Sequence, residues 1–444
     1  MNGIAMLRSR FRGGDSVSRQ LVRYALPSIV GMLIVGVQTF VDGIFVAKGV
    51  GPLGLAAVNL SMPIINVMLS VTIMIISGGI VLCGIAKGGG DQVAVRGLTS
   101  LTFVVLVATV LLMSALVFAF LRPLCYALGA NEEVYPFVRQ YLGFIGTAFL
   151  FYCIPNFTEA FTRLNGRPNW VFLSGVICCG VNILLDYLFV LQLGWGVRGA
   201  AVATCVANSS AAVVLSPNVH LGRLRGGWRE VGRMFYNGSS EMLTSVSAAV
   251  AMYLFNLVLM RESGPLGVAA LTIVCYLNFA VNMSIFGLSQ ALYPLMSYQL
   301  GARSYGGIRS LLRSSMALSA CIGVGIYLLC LIFKSQIIGV FAAGDVTLAT
   351  LTRSAISLVT LHYLVSFVNI VASSFHTAVE RPVESAAVAL CRSIVFVVLP
   401  LVLLVPRVGL TGVWLCMPVA EVLTLSVSLP LMARTMGRLR LRLR

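Results

Sequence analysis

The chain has 444 residues, of which 59% are hydrophobic and only 10% are charged, and its mean hydropathy is +0.96. Soluble globular chains carry about 25% charged residues, so this composition excludes a soluble fold. The net charge of +17 raises nucleic acid as a partner, and the placement of the charges along the chain decides against it.

An apolar stretch of roughly 20 residues crosses a bilayer as a helix. In chain order the sequence offers twelve: 20–47, 53–86, 97–121, 135–162, 168–192, 197–218, 236–261, 266–299, 310–333, 350–378, 383–405 and 410–433. Short Gly-, Pro- or Arg-bearing breaks separate them, and the longer ones must tilt or overshoot the bilayer. In lipid every backbone polar group must be satisfied internally, and long unbroken apolar runs suit helices rather than the alternating segments of a membrane barrel. The expected fold class is therefore all-α. The first run follows a basic stretch but is long and lacks a small-residue cleavage site, so it reads as a helix and not as a signal peptide.

With both termini and the even-numbered connections placed inside, 23 of the 31 Lys and Arg residues fall on the inner side and 8 on the outer. The inner set includes Lys87, Arg96, Arg309, Arg313 and Arg392, and the outer set includes Lys48, Arg139 and Arg353. This is the positive-inside pattern of a cell-membrane protein with cytoplasmic termini. The basic tails are suited to anionic lipid headgroups, and no aromatic or groove-reading module accompanies them, so no nucleic-acid partner is expected. Eleven cysteines lie nearly all in apolar spans with no Cys-x-x-Cys spacing, and His220, His362 and His376 show no ligand spacing. Neither a disulfide framework nor a zinc site is expected.

A duplication organises the chain. Gly51-Pro52-Leu53-Gly54-Leu55-Ala56-Ala57-Val58 recurs as Gly264-Pro265-Leu266-Gly267-Val268-Ala269-Ala270-Leu271, identical at six of eight positions. The same register pairs Arg96 with Arg309 and Gly196 with Gly409, and Arg167-Pro168 pairs with Arg381-Pro382 after a shift of a single position. Each repeat holds six spans, an even number, so both halves enter the membrane in the same direction as a parallel repeat. The expected division is a basic segment 1–19, a six-helix lobe 20–218, a cytoplasmic linker 219–235, a second six-helix lobe 236–433 and a basic tail 434–444. Two equivalent lobes about a central cleft are what alternating access requires.

Ionisable groups inside a membrane cost roughly 3 kcal/mol or more each, so every one is a functional candidate. Asp42 shares a helix face with Gln38, Asn182 and Asp186 repeat that i, i+4 arrangement, and Asn156 follows Pro155, which is expected to break the helical ladder. Carboxylates flanked by amide oxygens and a Thr hydroxyl suit a small hard cation or a shuttled proton; the bland alternative is that they cap hydrogen-bond networks between packed helices. The second repeat offers Phe255 where the first has Asp42, and Leu399 or Pro400 where it has Asp186, so the acid pair belongs to one lobe. Glu241 and Glu421 face a choice between a cationic substrate and a structural hydrogen bond, while Glu159 reads as a solvated residue. Asn256, Asn278, Asn282 and Gln290, with Gln38 and Glu241, form the expected substrate-facing set, and plentiful Met and Phe suit either amphiphile binding or ordinary packing. Lys87-Gly88-Gly89-Gly90-Asp91 reads as a turn, because it lacks the Walker Lys-Ser/Thr. Nothing in the sequence supports catalysis or nucleotide hydrolysis, so the energy is expected from an ion gradient and no cofactor is required.

Several stretches together resemble the multidrug and toxic compound extrusion (MATE) family, in its bacterial and archaeal form, from Leu21 to Leu431. They are Pro27 to Gly51 with Asp42, the Leu55-Ala56-Ala57 segment, Asn182-x-x-x-Asp186, Gly199-Ala200-Ala201-x-Ala203-Thr204, and Gly287 to Gly301 with Gln290 and Pro294. The resemblance implies a V-shaped pair of six-helix lobes that exports organic cations or amphiphiles against protons or sodium. It implies a cation site at Asp42, Asn156, Asn182, Asp186 and Thr204; with sodium as the ion, Asp42, Asn182 and Asp186 would be metal ligands. Some members carry an acid deeper in helix seven, where this chain has Ala251, Phe255 and Asn256. A lipid or glycolipid flippase of the same architecture is the alternative, disfavoured because few basic residues lie inside the spans, and a channel would not need an acid pair in one lobe. A monomer is expected.

Overall fold

The computed structural model describes residues 17–341 and 345–443; the expected basic segment is described only from Val17, and Arg8, Arg10, Arg12 and Arg444 lie outside the described residues. Among the described residues seventeen helices follow one another: α1 Val17–Gly49, α2 Pro52–Gly88, α3 Gln92–Ala119, α4 Leu121–Ala127, α5 Tyr135–Thr147, α6 Phe149–Leu164, α7 Pro168–Asp186, α8 Gly196–Leu215, α9 Trp228–Gly264, α10 Leu266–Gly301, α11 Tyr305–Ile332, α12 Lys334–Phe341, α13 Val346–Val359, α14 Tyr363–Ala378, α15 Pro382–Leu390, α16 Phe396–Val408 and α17 Leu410–Arg442. Eleven helical spans among these residues are long and apolar enough to cross a membrane, and the pair α5 and α6, bent by 47°, makes a twelfth. The protein is an all-α, multi-pass membrane protein. That bend falls at Ala148, while α6 runs through Pro155 as a helix; the expected break at Pro155 is thus displaced by about two turns.

Local chemistry sets the boundaries. Pro52, Pro168 and Pro382 stand in the first turns of α2, α7 and α15, where a missing N–H costs nothing. Asp91, Ser304 and Asp345 cap α3, α11 and α13 by accepting from Ala94, Gly307 and Leu348 backbone N–H groups. Of the Lys87–Asp91 run, expected as a turn, Lys87 and Gly88 finish α2 and the turn proper is Gly89 and Gly90, with Gly90 at φ 86°. Gly264, at φ 62° and ψ −154°, interrupts what would otherwise be one helix from Trp228 to Gly301.

The repeat is written into the backbone. Positive φ occurs at Gly51 and Gly264, at Gly90 and Arg303, and at Gly196 and Gly409, all in the register of the duplication, and at Gly166 and Glu380, which are shifted from it by a single position. The sequence duplication therefore reproduces local conformation even where glycine is replaced by arginine or glutamate.

Two compact units divide the chain: Arg23–Gly238, and residues 239–443 together with 17–22. In the first, α2 and α9 cross at Gly78 and Gly238, where an added Cβ would lie 2.1 Å from the Met234 carbonyl oxygen and 1.8 Å from that of Met74. Small residues permit that approach, as in membrane helix pairs generally. In the second, Phe255, Leu259, Leu271, Ile356 and Trp414 are buried in one apolar core.

Three placements correct the sequence reading. Arg392 lies near the middle of the span Pro382–Val408 and not at an inner end, so it leaves the inner set of basic residues. Glu241, close to the start of the expected span 236–261, is instead well inside a helix that already begins at Trp228. Glu159 is no solvated residue, because its carboxylate pairs with Arg163 at 2.9 Å and the two side chains are 16% and 4% exposed. All eleven cysteines are free thiols.

Candidate ion site in the first unit

α7 carries Asn182 and Asp186 on one face, four residues apart, and both are fully buried. Immediately after Asp186 the helix widens into a π-helical turn, Tyr187–Gln192, an irregularity that is frequent at functional sites. Neither the amide nitrogen nor the oxygen of Asn182 has a hydrogen-bond partner, and neither does either carboxylate oxygen of Asp186. Half-buried Asp42 on α1 turns its carboxyl toward that of Asp186, within range of mutual interaction, and its buried Oδ1 is likewise unpartnered. Gln38, one turn earlier and buried, accepts from the Cys178 thiol at 3.9 Å.

The other members of the expected set are more loosely placed. Thr204 on α8 is half-buried and donates to the Ala200 carbonyl at 3.0 Å, and Asn208 donates to the Thr204 carbonyl at 2.9 Å. Asn156 on α6 is half-buried. Two tyrosines join the site that sequence reasoning missed: Tyr141 on α5 lies within electrostatic range of Asp42, Asp186 and Tyr152, and Tyr152 on α6 lies within range of Asp42. No spacing signal could have found them, because they come from different helices.

Buried polar atoms are almost always paired, so five unpaired ones on three neighbouring side chains need a reason. Carboxylate and carboxamide oxygens are hard donors, the kind that hold a small cation, and a carboxylate pair is equally able to hold a proton. Among the described residues no group of three or more His, Cys, Asp or Glu side chains forms a metal site; the donors here are two acids and amides.

The corresponding positions of the second unit are chemically different. Phe255, the counterpart of Asp42, is 2% exposed in the apolar core. Asn369, the counterpart of Asn156, donates to the Glu421 carboxylate at 2.7 Å, and Ser428 donates to the Asn369 oxygen at 2.6 Å. Arg392 Nε donates to Glu421 at 2.5 Å. Glu421 stands where the first unit has Asn208, and Arg392, allowing the one-position shift seen at Arg381-Pro382, stands where it has Cys178. A guanidinium of the same chain thus already satisfies the Glu421 carboxylate, which marks Glu421 as an ion-pair partner within the fold.

Of the expected substrate-facing residues, Gln38 belongs with the Asp42 group in the first unit, and the others are in the second. Glu241 accepts from Tyr293 at 2.7 Å and from Thr377 at 3.5 Å, and Asn278 accepts from Tyr363 at 2.5 Å. Asn282 is exposed, and Asn256 and Gln290 are half-buried. These side chains do not form one cluster within the second unit's hydrogen bonds.

Residues 27–188 and 240–403 match the family model described as MatE. The chain is 23% identical over 92% of both chains to a FAD transporter of Shewanella oneidensis. To the multidrug export protein MepA of Staphylococcus haemolyticus it is 24% identical, over 64% of this chain and 65% of that protein. Its fold is that of a multidrug resistance MATE family transporter of the MOP superfamily, solved in an outward-facing conformation, with a TM-score of 0.91 over 99% of both chains at 20% identity. A MOP superfamily transporter from Pyrococcus furiosus, described as having a binding pocket of reverse polarity, superposes with a TM-score of 0.89 over 99% of both chains at 19% identity.

Proposed function

From the premise that this chain belongs to the MATE family of efflux transporters, we propose that it exports organic cations or amphiphilic toxic compounds by antiport against protons or sodium, with the coupling ion held in the first lobe. The carrying observation is the set of unpartnered buried oxygens on Asp42, Asn182 and Asp186. In this reading Asp42 and Asp186 take the ion, Asn182 and Asn156 add amide oxygens, and Thr204 adds a hydroxyl. The tyrosines Tyr141 and Tyr152, within electrostatic range of Asp42, limit water access. Binding an ion removes the repulsion between Asp42 on α1 and Asp186 on α7. In the second lobe Arg392 neutralises Glu421, so that carboxylate is not assigned to the coupling ion. The lobes are those expected at 20–218 and 236–433, joined by 219–235, in a monomer of the cell membrane with cytoplasmic termini. Gln38, Glu241, Asn256, Asn278, Asn282 and Gln290 are the candidates for substrate contact.

The test is reconstitution in liposomes with a fluorescent organic cation under imposed proton or sodium gradients. Gradient-driven movement by the native protein and none by Asp42→Asn supports the reading and names the ion; equal movement by both proteins refutes it. A bound ion also stabilises by mass action, so the ion that couples is expected to raise the melting temperature of native protein in detergent and to leave that of Asp42→Asn unchanged.

A second reading concerns the cargo. The relative named as a FAD transporter spans 92% of both chains, which favours an anionic, flavin-nucleotide-like substrate over a cation. The same liposomes loaded with FAD separate the two cargoes. None of the relatives named above is described as a flippase.

A further inference from the structure

A cavity of about 880 Å³ opens in the second unit between the first turns of α11 and the last turns of α17, within the range of about 300–1,000 Å³ typical of ligand pockets. Its polar lining is Arg309, Arg313, Arg440 and the hydroxyl of Tyr305, and its apolar lining includes Met432 and Met436. The three arginines are exposed, and among the described residues none of them has an ion-pair or hydrogen-bond partner. Three like charges gathered over apolar surface with no carboxylate among the lining residues favour an anion that carries a greasy part.

The first unit shows what the same surface does when it is covered. There the equivalent face of α3 is closed by the chain itself: Ser100 Oγ both donates to the Gly222 carbonyl and accepts from the Gly222 N–H, each at 2.8 Å. Arg225 of the same covering segment pairs with Asp91, the cap of α3, at 3.4 Å. In the register of the duplication, Ser100 becomes Arg313, Arg96 becomes Arg309 and the acid Asp91 becomes Ser304. The second unit has therefore exchanged the serine that holds the covering strand for an arginine and the acidic cap for a neutral one, and the face opens into the cavity.

We propose that this cavity is a binding site for an anionic phospholipid, with the phosphate on Arg309, Arg313, Arg440 and Tyr305 and the start of an acyl chain along Met432 and Met436. Basic pockets between helices at the cytoplasmic face hold acidic lipid headgroups by this chemistry, and the charge distribution of the chain places this end of the helices on the inner side. The lipid here is a fixed companion of the second unit and is distinct from the transported compound.

The test is native mass spectrometry of the full chain in detergent, titrated with phosphatidylglycerol or with phosphatidylcholine. Expected is retention of phosphatidylglycerol and little retention of phosphatidylcholine. The variant Arg309→Gln/Arg313→Gln/Arg440→Gln should lose affinity for the acidic lipid by about a hundredfold, the effect of three basic contacts to a headgroup. The charge-preserving variant with Lys at all three positions should retain most of it, and this variant decides the matter where the first fails to fold. Equal binding of the two lipids, undiminished binding by the Gln variant, or an equal loss on removing Arg229, Arg434 and Arg442 outside the cavity would each overturn the proposal. Displacement of the lipid by millimolar inorganic phosphate would overturn it in favour of a free-anion site.

Discussion

At Asp186 the arrangement of single atoms separates function from structure. A fully buried carboxylate with neither oxygen partnered destabilises the folded chain by an amount on the order of 1–3 kcal/mol, the usual cost of an unsatisfied buried polar group. Asp186→Asn keeps the shape and removes the acid, so it should raise or preserve the melting temperature in detergent while abolishing coupled transport. A carboxylate that merely tied helices together would show the reverse, lost stability with transport retained. Arg392 and Glu421 form the contrasting case, since both have partners and sit 23% and 6% exposed. Arg392→Ala leaves the Glu421 charge without its counter-ion, held by Asn369 alone among the bonds described, and should destabilise by about 3 kcal/mol, whereas replacing both residues by Met should cost far less. Chemical denaturation of the two variants in detergent checks the pair.

Between helices, the turns of the two repeats share a left-handed backbone whatever residue occupies it. Arg303 at φ 53° and Glu380 at φ 57° stand where the first repeat has Gly90 and Gly166. A side chain there costs about 1–2 kcal/mol, and glycine loses about half of that gain through its freer unfolded state. Arg303→Gly is therefore expected to stabilise by about 0.5–1 kcal/mol, and the reciprocal Gly90→Ala and Gly166→Ala to destabilise, as read from melting temperatures. Arg303→Gly leaves the cap of α11 intact, because Ser304 supplies it.

For the molecule as a whole, the duplication gives two units of one architecture and divides the chemistry between them. The first retains unpartnered acids, while the second has Phe255 and Leu399 or Pro400 at the equivalent positions and an internal ion pair at the counterparts of Cys178 and Asn208. Asymmetry of this kind follows naturally from a repeat in which one half does the ion chemistry and the other is released to pack, to bind cargo or to hold lipid. The orientation is testable at this scale: cytoplasmic reporter fusions at the C-terminus and within 219–226 should both be active, and an exported reporter at either point inactive. The opposite pattern would invert the membrane sidedness proposed for the lipid site.

The sequence by itself determined the all-helical class, the twelve spans and the parallel repeat, because lipid forces each span to satisfy its own hydrogen bonds and that requirement is written as hydrophobic length. It also singled out Asp42 and the Asn182–Asp186 face, since a charge inside an apolar run is visible without any contact. What it could not supply were pairings between spans, which depend on side chains far apart in the chain meeting in three dimensions. Tyr141 and Tyr152 beside the acids, Glu159 on Arg163, Arg392 in mid-span on Glu421, and three arginines gathered at one cavity were all decided by tertiary packing alone. Hydrophobic period and charge sign report depth in the membrane, whereas only the packed helices report which neighbour each polar group has found and which groups have found none.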